Sequence, residues 1–165
     1  MLLPTKNNMN KQEYKNLANM ASNGDTGAFA KLYETIYREM YYIALYSLDN
    51  DSDAVEAVTG TVRDGFKSIS RLKSENAYRI FMMKTLCARI RAFQKEYKNQ
   101  GGAEAKTEIS RKLALLPEAD RLPTVMYIAA KFSPEEIAAF IGGSANGIRK
   151  RLKNALYTLN ITEKS

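Results

Sequence analysis

The sequence contains no histidine and a single cysteine, Cys87, among its 165 residues. The absence of histidine excludes a histidine-based catalytic triad and any histidine-containing metal site. One thiol likewise excludes an internal disulfide and the zinc sites that are built from several cysteines. No glycine-rich segment has the spacing of a P-loop or of a dinucleotide-binding turn. We therefore expect a protein that is not an enzyme and that carries neither a metal nor another cofactor.

Long apolar runs are also missing. No run approaches the roughly 20 residues that a helix needs to cross a bilayer, and residues 1–8 contain no apolar stretch of the kind found in signal peptides. Cys87 shares a helical stripe with Ile80, Met83 and Ile90, which predicts a buried structural thiol. A lone cysteine fits a reducing compartment. These features predict a cytoplasmic protein with no membrane partner.

What the sequence does contain is positive charge and helical periodicity. Lys and Arg number 25 against 18 Asp and Glu, giving a net charge of +7, which favours a polyanionic partner, nucleic acid before a membrane surface. Only four prolines and nine glycines interrupt the chain, and no segment alternates apolar and polar residues as a half-buried strand does. The sequence predicts an all-α fold of two small helical domains joined by a flexible linker, the second with a helix-turn-helix.

Turn residues and apolar spacing place the helices and the domain boundary. Residues 99–108 are small, polar and glycine-bearing, so we place the linker there, between a first domain at 1–98 and a second domain at 109–165. The predicted helices lie at 10–22, 28–48, around 55–69, 77–98, 109–115, 119–130, 134–141 and 145–159. The candidate N-caps are Asp25, Ser74, Ser133 and Ser144.

The strongest local signal lies in the segment 132–159. Ser133 followed by Glu136 predicts a capping box that begins a short helix, and Gly142-Gly143 predicts a tight turn. A bracing helix, a glycine turn and a basic helix are the parts of a DNA-binding helix-turn-helix, whose second helix enters the major groove. A helical hairpin with a solvated basic face would give the same pattern. The outward-facing residues suited to phosphates or base edges are Asn146, Arg149, Lys150 and Lys153.

A second basic stripe lies on the predicted helix 77–98. Lys84, Arg91, Lys95 and Lys98 share one face at helical spacing. Solvated lysines are common on helices, so this stripe alone is weak evidence. Together with the basic face of the predicted helix 145–159, it supports a polyanionic partner. Acidic residues instead cluster between positions 49 and 64. Two explanations fit this cluster: acids interact favourably with the N-terminus of a helix, and an acidic surface can also serve as a docking site for another protein.

Taken together, these segments resemble the extracytoplasmic-function (ECF) sigma factors, the two-domain group of bacterial sigma factors, over residues 24–159. GDTGAFAKLYETIY is similar to the opening helix of that family, and DSDAVEAVTGTV to the helix that docks on core RNA polymerase. RIFMMKTLCARIRAFQKEYK falls where the family opens and recognises the downstream promoter element. LLPEADR and FSPEEIAAFIGGSANGIRKRLKNAL resemble the domain that recognises the upstream element.

The resemblance implies roles for individual residues and partners for the chain. Its partners would be core RNA polymerase, double-stranded promoter DNA with its melted single strand, and an anti-sigma factor. Polymerase docking falls to Asp53 and Glu56. The downstream element, including its melted strand, would contact Arg71, Lys73, Asn76, Lys84, Arg91, Lys95 and Lys98. The upstream element would contact Ser144, Asn146, Arg149, Lys150 and Lys153.

Two alternatives to a sigma factor remain open. Val55, Thr59 and Gly60 stand where the family usually carries acidic residues and glutamine, which would fit a helix-turn-helix regulator that has a sigma-like fold but no longer docks on polymerase. The second alternative is a protein-interaction module that sequesters a regulator. The leading hypothesis is an RNA polymerase sigma factor that directs promoter-specific transcription initiation, with the polymerase supplying the chemistry.

Overall fold

A computed structural model describes residues 9–102 and 104–160. Over these residues every regular element is helical and none is a strand, which confirms the all-α class. The helices are α1 (Lys11–Ser22), α2 (Thr26–Glu34), α3 (Tyr37–Leu48), α4 (Asp51–Ser68), α5 (Glu75–Asn99), α6 (Glu108–Leu113), α7 (Glu118–Ala130), α8 (Pro134–Ile141) and α9 (Ala145–Thr158), with a short 3-10 helix at Ile69–Arg71. Residues 1–8, on which the expectation about a signal peptide rests, and the chain end at 161–165 lie outside the described residues.

Side-chain caps begin the helices where the sequence predicts them. Asp25, Ser74, Ser133 and Ser144 each accept a hydrogen bond from the backbone N–H three residues further on. Such a bond satisfies one of the donors that a helix N-terminus leaves without an intrahelical partner, and its loss costs about 1 kcal/mol. The starts of α2, α5, α8 and α9 are therefore determined by local sequence.

The segment 28–48 forms two helices, and the prediction of a single helix there is wrong. Ile36 leaves the helical region with φ −132° and ψ 0°, while the Thr35 hydroxyl donates to the Leu32 carbonyl at 2.7 Å. Periodicity misses this break because Leu32, Ile36 and Met40 are all buried, so the apolar spacing is that of a continuous helix. The break turns the chain so that α3 packs along α4.

The core of the N-terminal half is formed mainly by α3, α4 and α5. Met40, Ile43, Met82 and Leu86 are completely buried there. Cys87 is only 2% exposed, and burial raises the pKa of its thiol to about 11. The prediction of a buried structural thiol is confirmed.

The N-terminal and C-terminal halves contact each other. Helix α3 packs against α7 and α5 packs against α8, and the buried hydrophobic residues form one cluster that runs from Tyr14 to Leu159. Near the end of the predicted linker, Asp49 Oδ2 accepts hydrogen bonds from the Lys106 backbone N–H at 2.7 Å and from the Ser110 hydroxyl at 3.0 Å. The division into domains at 1–98 and 109–165 stays a prediction from sequence, to which the structure adds that the two halves pack together.

Candidate nucleic-acid interface

Helices α8 and α9 form the helix-turn-helix that the sequence predicts. Gly142 and Gly143 join them with φ of +94° and +89°, in the region that residues with a side chain rarely adopt. Ser133 and Glu136 form the expected capping box at the start of α8. Helix α8 packs on α9, and α7 packs on both. The C-terminal part therefore holds α9 against two bracing helices, with one side facing solvent.

Burial divides α9 into two faces. Ile148, Leu152, Ala155 and Leu156 are buried against the neighbouring helices. The five residues predicted to contact the upstream element are all exposed, and we call them the recognition face: Ser144, Asn146, Arg149, Lys150 and Lys153. Helix α9 contains no acidic residue. The structure thus brings all five predicted residues together on one basic surface.

Two arginines of α9 are already paired with acids of the neighbouring helices. The Arg149 guanidinium contacts Glu135 of α8 and donates to the Asn146 side-chain oxygen at 2.9 Å. Arg151 lies 3.6 Å from Asp120 of α7. Both pairs are exposed on the arginine side, so they are weak and can exchange for phosphate contacts. Within the described residues, Lys150 and Lys153 take part in no ion pair and offer their full charge.

The second predicted set of DNA contacts is also exposed. Lys84, Arg91, Lys95 and Lys98, which we call the α5 basic face, all reach solvent. Lys98 lies 2.6 Å from Glu118. Because that pair is more than half exposed on both sides, it contributes little to stability. Arg71, Lys73 and Asn76 lie at the N-terminal end of α5 and are exposed as well.

The two carboxylates predicted to dock on polymerase differ in their surroundings. Glu56 is exposed on α4, next to Val55, which is 42% exposed. Asp53 is half-buried and accepts a hydrogen bond from the Tyr97 hydroxyl. Burial and this hydrogen bond to Asp53 raise the pKa of Tyr97. Glu56 is therefore free to contact a partner, whereas Asp53 already joins α4 to α5. The assignment of both residues to polymerase docking stays a prediction.

The presence of a glycine at position 60, in the middle of α4, has a structural explanation that the sequence alone does not provide. The guanidinium of Arg89 lies across it, so that a Cβ at Gly60 would come within 2.4 Å of an Arg89 nitrogen. Arg89 reaches over Gly60 to Asp64 at 2.6 Å. Glycine in a helix interior costs about 1 kcal/mol relative to alanine. Here it gives an arginine of α5 room to pair with an acid of α4.

A buried ion pair joins the helix-turn-helix to the N-terminal half. Arg79 of α5 lies 3.2 Å from Glu136 of α8, and their side chains are 15% and 8% exposed. The other Glu136 oxygen accepts the Ser133 backbone N–H of the capping box, at 3.1 Å. Sequence patterns identify Glu136 as a capping residue only, since its partner lies 57 residues away.

Among residues 9–102 and 104–160, no three carboxylate or thiol groups converge as a metal ion requires. None of the helices in the described part of the chain combines the length and the apolar character needed to cross a bilayer.

Comparison with known proteins supports the fold. No family model matches the chain, and no curated protein matches it in sequence. Solved structures do match, among them that of CnrH in complex with the cytosolic domain of CnrY, with a TM-score of 0.73 and 17% identity over 90% of this chain and 95% of CnrH. CnrH is an ECF sigma factor. The match covers both halves of the chain, and at this identity it establishes the fold. This chain has the fold of an ECF sigma factor.

Proposed function

We propose that the chain is a sigma factor that binds core RNA polymerase and directs it to specific promoters. The observation that carries the proposal is the outward-facing recognition face of α9, held by a capped helix-turn-helix within a fold shared with CnrH over 90% of the chain. The protein has no catalytic role in this proposal, because the polymerase supplies the chemistry. It acts in the bacterial cytoplasm, where polymerase and promoter are found.

Helix α9 binds the upstream promoter element in the major groove. Its N-terminal residues Ser144, Asn146 and Arg149 reach base edges or adjacent phosphates, and Lys150 and Lys153 neutralise phosphates along the groove. Arg149 can leave its ion pair with Glu135 to contact DNA at a small cost in free energy, because that pair is exposed. Much of the affinity is electrostatic and falls steeply with salt concentration.

The downstream element is bound along α5. The α5 basic face offers four cations to the backbone of a melted strand, and Arg71, Lys73 and Asn76 lie at the end where the loop before α5 can receive an unstacked base. Single-strand capture needs such a cationic surface because phosphate neutralisation supplies most of the sequence-independent affinity.

The N-terminal end of α4 binds core polymerase in this proposal. Glu56 supplies an exposed charge and Val55 an exposed apolar side chain beside it. An anti-sigma factor is a further proposed partner. Its support is that CnrH was solved with the cytosolic domain of CnrY bound.

One alternative is favoured by specific observations. The family's acidic docking pattern is reduced on α4, Asp53 is occupied by Tyr97, and Gly60 is covered by Arg89. A helix-turn-helix regulator that binds DNA without polymerase would retain the recognition face and lose the need for these docking carboxylates.

Retention of core polymerase by immobilised protein tests the proposal. Glu56→Lys should abolish retention, while Glu34→Lys, a charge reversal at an exposed position of α2, should leave it unchanged. We prefer Glu56 alone for this test because reversing Asp53 also breaks the contact with Tyr97. If the wild-type protein retains no polymerase, the sigma role is wrong and the DNA-binding alternative takes its place.

Binding to duplex promoter DNA tests the recognition face separately. Lys150→Ala and Lys153→Ala should each weaken binding and lower the slope of log K against log salt by about 1. Lys31→Ala, which removes an exposed lysine of α2, is the matched control. Equal slopes for all three variants would argue against α9 as the DNA-binding helix.

A further inference from the structure

The loop that precedes α5 is joined to α1 by a hydrogen bond from a buried side chain. The hydroxyl of Tyr14 donates to the backbone carbonyl of Leu72 at 2.6 Å, across 58 residues of sequence. Tyr14 is only 2% exposed, and α1 packs against the 3-10 helix that leads into the loop. A bond of this kind fixes the orientation of the peptide unit between Leu72 and Lys73.

Two of the predicted DNA contacts lie at the start of this loop, one at the end of the 3-10 helix and one within the loop. Arg71 and Lys73 flank Leu72 in sequence, and both are exposed. One end of the loop is held by the Leu72 N–H, which donates to the Ile69 carbonyl at 3.1 Å. The other end is held by Ser74, which caps α5. The Tyr14 hydroxyl therefore holds the middle of the loop, at the residue between the two cations.

A shallow groove of about 190 Å³ lies between α1 and this loop. Its lining includes Lys15 from α1 and Lys73 from the loop, with Tyr14 and Leu72 between them. Since the two lysines belong to different elements, the hydrogen bond between those elements sets how far apart the two charges lie. An anionic strand that follows the groove would meet both.

The hydroxyl keeps its proton under all ordinary conditions. Burial, and to a smaller extent the charge of Glu75, raise the pKa of Tyr14 to about 12. Tyr14 therefore remains a donor to Leu72 across the neutral range.

We propose that Tyr14 is a positioning residue, which by donating to Leu72 holds the loop in the orientation that lets Arg71 and Lys73 contact the melted downstream strand. The inference rests on the proposed function, because the strand is bound in this way only by a working sigma factor. Tyr14 does not touch DNA itself, since it is buried. Without its hydrogen bond the two cations remain, but DNA binding must then order the loop that carries them.

Two conservative variants separate this role from the general stability of the core. Tyr14→Phe keeps the ring and removes the donor. Tyr78→Phe is the matched control, because the Tyr78 ring lies 6.1 Å from that of Tyr14 and is equally buried. The Tyr78 hydroxyl has no hydrogen-bond partner among the described residues, so its removal costs no bond to the loop.

Limited trypsin digestion of the folded protein measures the loop directly and needs no polymerase. Trypsin cleaves after Arg71 and Lys73, and cleavage requires the loop to leave its resting conformation. Loss of one hydrogen bond should raise the initial rate there roughly fivefold in Tyr14→Phe. Tyr78→Phe should cleave at the wild-type rate.

An assay of promoter opening measures how loss of the Tyr14 hydroxyl affects binding of the melted strand. With core polymerase and a promoter fragment, permanganate reactivity of melted thymines should fall roughly fivefold in Tyr14→Phe and stay unchanged in Tyr78→Phe. Polymerase retention and binding of upstream duplex should stay at the wild-type level in both variants, because neither the α4 docking end nor α9 changes. A merely structural role would not produce this selective loss.

Each outcome decides the inference. Equal cleavage of Tyr14→Phe and wild type would overturn the claim that Tyr14 holds the loop. Faster cleavage with normal promoter opening would overturn its role in DNA binding. A wild-type protein that retains no polymerase and opens no promoter would refute the sigma role and the DNA part of the inference with it, while the trypsin comparison would still decide whether Tyr14 positions the loop.

Discussion

Replacing Arg79 by methionine removes the guanidinium that pairs with Glu136 and keeps an unbranched side chain. Among the described residues, the change leaves the Glu136 carboxylate, which is 8% exposed, with the Ser133 N–H as its one remaining hydrogen-bond donor. An ionised carboxylate with so little access to water is strongly unfavourable unless it is paired. The folded state should therefore lose much more than it does when a surface pair is broken.

The size of the loss in unfolding free energy follows from the burial of both Arg79 and Glu136. Removing one member of a buried ion pair costs about 3–5 kcal/mol. Arg79 is 15% exposed and the pair is a single contact, so we expect the lower end, about 3 kcal/mol. For a chain of this size that corresponds to a fall in Tm of about 6–12 °C. Arg149→Met breaks an exposed pair with Glu135, in which both side chains are about half exposed, and should cost less than about 1 kcal/mol.

A double-mutant cycle isolates the interaction of the two charges. Glu136→Gln removes the negative charge but keeps a side-chain oxygen that can accept the Ser133 N–H in the capping box. Each single variant leaves one partner unpaired, whereas the double variant leaves neither charge. Urea unfolding of the four proteins should therefore give a coupling energy of about 2 kcal/mol.

Two results would refute this account of the pair. If Arg79→Met destabilised the protein no more than Arg149→Met, the Arg79–Glu136 contact would not join the two halves in solution. If the double variant were as unstable as the sum of the single variants, the charges would not interact, and the loss would have to come from the side-chain contacts of each residue alone.

Gly65→Ala puts a methyl 2.5 Å from the sulfur of buried Met82 and should lower the unfolding free energy by about 1–2 kcal/mol. Gly60→Ala meets only the movable Arg89 guanidinium, so gained helix propensity offsets the lost pair and the urea midpoint should stay close to that of the wild type; equal urea midpoints for the two variants would contradict this contrast. At pH 8 a thiol reagent should label Cys87 at least about a hundredfold slower in folded than in unfolded protein, and rapid labelling would mean an exposed thiol. Stability should fall as pH rises from 9.0 to about 11, because the folded state keeps a thiol proton that the unfolded state loses.

Local sequence signals are enough to predict the all-α class of the fold and the position of the helix-turn-helix. Ser133 and Ser144 cap α8 and α9, and Gly142 and Gly143 form the turn between them with positive φ. All of these signals act within a few residues, so they can be recognised without the rest of the chain. The exposed basic surfaces of α5 and α9 also follow from helical spacing alone, because an apolar stripe on one side of a helix leaves the other side to solvent.

The way in which these parts are combined depends on contacts between residues that are far apart in the sequence. The break at Ile36 was invisible to periodicity because the residues on both sides of it are buried. The contacts Arg79–Glu136, Arg89–Asp64 and Tyr14–Leu72 join residues that are 57, 25 and 58 positions apart. Local patterns cannot pair such residues, since their separation in space depends on how whole helices pack. The orientation of the helix-turn-helix on the N-terminal half, and of the loop before α5, is set by these long-range contacts.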